Sequence, residues 1–96
     1  MARPAKLEAP EVDAWLSSHA GWQREGEALV KSFTFPDFAS ALAFAVRIGM
    51  VAEKRDHHPD ILIGWGKARV TWTTHDAKGI TRLDLELAEA SDTAVK

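Results

Sequence analysis

Two adjacent histidines, His57 and His58, stand between Asp56 and Pro59, and Glu53 precedes the first of them by four residues. A third histidine, His75, follows eighteen residues after His57, at the end of a strand-like run. Imidazole changes charge near neutral pH, so histidines that converge can give and take protons in one site. On a helix Glu53 and His57 share a face, and a carboxylate there accepts from one ring nitrogen and sets what the other presents. The plainer role for that pair is a solvated contact at a helix C-terminus, where histidine is favoured anyway. Taken alone, the pair fits the plainer role better. The third histidine, at the end of a different element, shifts the balance toward one acid/base site for a small heterocyclic substrate.

Other chemistries fit less well. Glu53, His57 and His75 could supply three ligands to a catalytic metal, but adjacent histidines rarely reach one ion and no HExxH-type motif is present. There is no Gly-x-Ser-x-Gly elbow for a serine hydrolase and no Gly-rich phosphate loop. Trp72 shares strand parity with Val70, which suits a core aromatic. Trp22 follows Gly21 at the start of a strand and fits either core or pocket. Asp84 fits a helix cap, and His19 fits the end of a first helix.

With 96 residues the chain makes one domain, 1–96, with a single core and loose ends expected at 1–9 and 92–96. The absence of cysteine excludes disulfides, thiolate metal sites and a cysteine nucleophile. A net charge of −2 with no basic block argues against nucleic-acid binding by phosphate neutralisation. No apolar run approaches the ~20 residues that cross a bilayer, and the first residues lack the apolar stretch of a secretory signal. A soluble, cytoplasmic protein with no membrane partner is the expectation.

The elements that must position the histidines follow from local patterns. Pro10, Glu11 and Asp13 suit the first turn of a helix over 10–19. Residues 22–26 and 28–35, joined at Glu25-Gly26-Glu27, read as an antiparallel hairpin. Asp37 caps a helix of about 18 residues with Phe38, Ala41, Leu42, Ala45, Ile48 and Ala52 on one wide stripe. Pro59 disfavours helix at His58, so this helix ends near His57. Gly49 interrupts it, which suits close packing against the sheet or another subunit. Strands follow at 61–65 and 68–74, and Thr81 to Asp84 resembles a capping box opening a last helix. By strict parity His75 falls on the less apolar face, unless the strand has already ended. The sum is an α+β domain, α-β-β-α-β-β-α: a two-layer, four-stranded antiparallel sheet with three helices on one face.

Glu53-Lys54-x-Asp56-His57-His58-Pro59, then Trp65, Val70, Thr74-His75, Gly79-Ile80-Thr81 and Asp84, together resemble the pterin-4a-carbinolamine dehydratase family. Ala20-Gly21-Trp22 and Phe35-x-Asp37-Phe38 also resemble it, so the likeness spans about Gly21 to Ala88. It implies a hydro-lyase that removes water from a 4a-hydroxytetrahydropterin to give the quinonoid dihydropterin. Such an enzyme recycles the cofactor of aromatic amino-acid hydroxylases and needs no metal or other cofactor. It implies His57, His58 and His75 as the active-site histidines, with His57 and His75 moving protons and His58 positioning. Glu53 would hold the histidine pair, and Asp56, Thr73, Thr74 and Asp76 would contact the pterin, with Trp22 and Asp84 nearby. Ile61 departs from the family, where many relatives carry an aromatic. Homodimers or homotetramers are the rule there, and some members are non-catalytic dimerisation or assembly modules.

Overall fold

Along Lys67–Trp72 the residues Ala68, Val70 and Trp72 are buried, while Arg69 and Thr71 alternate with them, the period of two that gives a sheet one covered and one open face. The computed structural model describes residues 4–95. Its elements are α1 (Ala9–Leu16), β1 (Gln23–Glu25), β2 (Ala28–Thr34), α2 (Phe38–Arg55), β3 (Asp60–Gly64), β4 (Lys67–Trp72), a 3-10 turn (His75–Ala77) and α3 (Arg82–Thr93). The strands form one antiparallel sheet in the order β1-β2-β4-β3. Across β2 and β4, Leu29 faces Trp72 and Phe33 faces Ala68, all on the buried side. Val12 of α1, Phe44, Ile48 and Ala52 of α2, and Leu83, Leu87 and Ala88 of α3 join them in one core. This is the α+β order expected from the sequence.

The apolar stripe of α2 is in fact two stripes. Ala41, Phe44, Ala45, Ile48 and Ala52 face the core, and Phe44, outside the expected set, is fully buried. Phe38 and Leu42 belong instead to an outward row with Val46 and Met50, each 44–66% exposed. Gly49 lies on the exposed side, and a Cβ there would meet nothing within 4 Å, so it makes no close contact with the sheet.

The ends of α2 have local causes. At its start the Asp37 carboxylate accepts the Ser40 N–H at 2.7 Å. At its finish Asp56 adopts the left-handed conformation, φ 50°, and its N–H reaches back to Ala52 and Glu53 carbonyls. His57 N–H also donates to the Ala52 carbonyl, at 3.1 Å. The helix therefore stops at Arg55, two residues before the expected point, and the chain turns before His57. Strand β4 likewise ends before His75, so strand parity does not govern that residue. Thr74 and Gly79 pair instead to close the loop that carries it.

Segments near both ends of the described chain make defined contacts. Lys6 bridges Thr81, and Leu7 N–H donates to the Ile80 carbonyl at 2.8 Å. Helix α3 runs on to Thr93, and its Asp92 accepts from Lys31 Nζ at 2.7 Å and from the Trp22 indole at 3.1 Å. Residues 1–3 and 96, within the ends expected to be loose, lie outside the described residues.

The α2 cap carries a pH dependence. The Ser40 backbone N–H, and after it the Ser40 hydroxyl, hold the Asp37 carboxyl below its ordinary 3.8. A lowered folded-state value means that the cap's stabilisation is present above 3.8 and is lost as pH falls through the folded value. Thermal unfolding of the wild type and Asp37→Ala between about pH 2 and 6 should therefore show a gap that closes at the acid end.

Candidate active site

The turn at Asp56 and the loop after β4 bring the two histidine segments together. Asp56, His57, His58, Pro59 and Asp60 form one wall of an open cleft of about 340 Å³, and Thr73, Thr74, His75 and Asp76 form the other. The β3–β4 ladder, starting at the Asp60–Thr71 pair, holds the walls in register. All three sequence-predicted histidines thus meet in one place, with three carboxylates around them. Asp60 was missed as a site residue, although it closes the same acidic, histidine-rich stretch.

The histidines differ sharply in surroundings. His57 is buried, its ring parallel to Trp72 with centroids 5.9 Å apart. Its Nε2 lies 2.7 Å from Asp84 Oδ1. The other oxygen, Oδ2, accepts the Thr74 hydroxyl at 2.7 Å and the Thr81 N–H at 2.9 Å. Thr74 and Thr81 hydroxyls are 2.9 Å apart. The capping role expected for Asp84 is therefore real, and the same carboxylate also anchors His57. A cap seen in sequence gave no sign of that second bond, which joins residues 27 positions apart.

Glu53 holds only one of the histidines. Its Oε1 is 2.8 Å from Nε2 of His58, and the pair is largely exposed. The i,i+4 rule paired it with His57, but the left-handed Asp56 takes His57 off the helix and turns it inward. His75 stands exposed on the 3-10 turn, and Thr73 Oγ1 donates to the Glu27 carbonyl at 2.6 Å, fastening that turn to the β1–β2 hairpin.

Two residues expected at the substrate do not line the cleft. Trp22 is a core aromatic, packed at 6.0 Å edge-on to Phe33 and hydrogen-bonded to Asp92. Asp84 is fully buried behind His57. Thr74 lines the cleft, but its hydroxyl points away toward Asp84. Among the described residues no three His, Asp or Glu side chains are grouped to hold a metal ion.

Residues 5–94 match the family model described as pterin 4 alpha carbinolamine dehydratase. The chain belongs to that family. A relative from Roseiflexus sp. (strain RS-1), provisionally named a pterin-4-alpha-carbinolamine dehydratase, is 42% identical over 91% of this chain and 94% of its own. One from Natronomonas pharaonis, named in the same provisional way, is 41% identical over 91% and 92%. The crystal structure of a transcriptional coactivator/pterin dehydratase from Brucella melitensis superposes with a TM-score of 0.90 at 33% identity, covering 95% of this chain and 99% of that one. A pterin dehydratase-like protein identified as a RuBisCO assembly factor in the alpha-carboxysome shares the fold, with a TM-score of 0.66 at 22% identity over 80% and 92%.

Proposed function

We propose that this chain is a 4a-hydroxytetrahydropterin dehydratase, a hydro-lyase acting through histidine acid/base catalysis. The observation that carries the proposal is the opening of His57, His58 and His75 into one cleft, on a chain of the dehydratase family. Loss of water from this substrate requires one group to accept the N5 proton and another to protonate the hydroxyl leaving C4a. His57 and His75 come from the two segments that line the cleft, and each would serve one of the two proton transfers. His58, braced by Glu53, and Asp56, Thr73 and Asp76 line the same cleft and would orient the ring, whose amide edge offers both donors and acceptors. The physiological role would be recycling of the pterin used by an aromatic amino-acid hydroxylase. Stopped-flow mixing with freshly generated 4a-hydroxytetrahydropterin tests this directly: accelerated formation of the quinonoid product is expected, and a rate equal to the uncatalysed one refutes it.

A non-catalytic assembly module of the same fold is the second reading, favoured by the outward row Phe38, Leu42, Val46 and Met50 on α2. Such a row at every fourth position suits helix packing against another chain. It fits an enzyme equally well if the partner is a second copy, and we take the protein to be a homodimer or homotetramer. Sedimentation velocity should show the oligomer for the wild type and a shift toward monomer for Met50→Glu, with the far-UV spectrum unchanged.

A further inference from the structure

We infer that Asp84 gives the proton transfers their direction: it holds His57 as the Nε2–H tautomer, so that His57 Nδ1 is the base for the substrate N5 proton and His75 is the acid for the leaving hydroxyl. The assignment of base and acid rests on the dehydratase reading, whereas the tautomer follows from the chain alone.

A carboxylate accepts and does not donate, and each neighbour of Asp84 brings a proton. The Thr81 backbone donates to Oδ2 through its N–H. Thr74 has a single hydroxyl proton and spends it on the same oxygen, so it must accept from the Thr81 hydroxyl. The donors therefore run in one direction, Thr81 to Thr74 to Asp84, and leave no place for a proton on Oδ2, while Oδ1 of an ionised carboxylate can only accept. His57 Nε2, at 2.7 Å from Oδ1, is then the donor of that bond.

Its Nδ1 has no hydrogen-bond partner among the described residues. No fully buried side-chain nitrogen or oxygen among those residues lacks a partner, so Nδ1 opens to the cleft that His57 lines. In the neutral ring this nitrogen carries a lone pair.

The same carboxylate stabilises the imidazolium formed when Nδ1 takes a proton, as the buried aspartate does in a catalytic triad. Among the described residues no buried carboxylate bonds to His75, which sits exposed, where water can reprotonate it between turnovers. The balance is complete. The N5–H bond breaks and its proton goes to His57 Nδ1, while the electron pair forms the N5=C4a bond. The C4a–O pair leaves with oxygen, which takes a proton from the His75 imidazolium and departs as water. His57 ends protonated and His75 neutral, and exchange with solvent resets both.

The tautomer can be read without substrate from the imidazole ¹⁵N shifts of histidine-labelled protein at a pH where the ring is neutral. The wild type is expected to show a protonated Nε2 and a bare Nδ1 at His57. Asp84→Asn is expected to lower kcat roughly 10²-fold or more, with KM within about threefold, because a positioned base contributes on that scale. Thr74→Val, which removes one donor and keeps the carboxylate, should lower kcat by less than Asp84→Asn does, with the Nε2–H tautomer retained. An Nδ1–H ring in the active wild type would overturn the base assignment alone. A folded Asp84→Asn variant with turnover within about threefold of wild type would do the same. The Nε2–H tautomer in a wild type without turnover would overturn the dehydratase reading, and the base assignment with it.

Discussion

Changing His57 and His75 together to Ala is expected to lower dehydration of a 4a-hydroxytetrahydropterin by roughly 10²–10⁴-fold, the range that general acid and base groups contribute. The two positions act on one elimination, so the double variant should fall well short of the product of the single losses. His75 is exposed and its ring makes no hydrogen bond or ion pair among the described residues, so His75→Ala should lose activity with its unfolding midpoint unchanged. His57 is buried against Trp72 and Asp84, so part of its loss should be structural. Single-turnover kinetics alongside near-UV circular dichroism separate the two. Unchanged turnover in the folded double variant would remove the basis for calling the cleft catalytic.

The largest stability effect should come from Asp84→Ala. That change leaves three buried donors facing an apolar methyl: His57 Nε2–H, the Thr74 hydroxyl and the Thr81 N–H. Leaving one buried donor unsatisfied costs about 1–3 kcal/mol, because the group stays desolvated, and three are left here. Domains of this size are stable by only about 5–15 kcal/mol, so much of the total is at stake. Urea denaturation should show the midpoint falling strongly with little change in slope. A loss below about 1 kcal/mol would mean that water reaches the network and replaces the carboxylate.

Much of this molecule could be read from local rules. Asp37 and the Thr81–Asp84 box are short-range capping signals, and both lie where those rules put them. Alternation along 68–72 revealed which strand residues face the core. The gathering of the three histidines was also legible, because each stood beside a break in regular structure. The partners within the site were not. Pairing Glu53 with His57 assumed that the helix continued through residue 57, and a single left-handed residue, Asp56, ends it two positions sooner. Pro59 signalled a break but acts on His58, so it could not locate the turn. The His57–Asp84 bond depends on α3 packing behind the sheet end, a tertiary fact with no periodicity to announce it. Trp22 fitted core or pocket equally from its neighbours, and only Phe33 and Asp92 decide for core. The outward row on α2 was merged with the inward one because both are apolar at helical spacing.

The β3–β4 hairpin has a consequence for how such a site is inherited. Both walls of the cleft are the open ends of that one hairpin, and His57 and Thr74 are only 17 positions apart. A single contiguous segment, 56–76, therefore carries every described residue that lines it. Exchange of that segment between homologous chains would move the whole cleft at once. The side chains that hold its histidines from outside, Glu53 before it and Asp84 after it, would come from the recipient. A recipient with an aspartate at the start of its last helix could accept the transplanted cleft and orient its buried histidine. One without it would receive the right side chains and leave that histidine without its anchor.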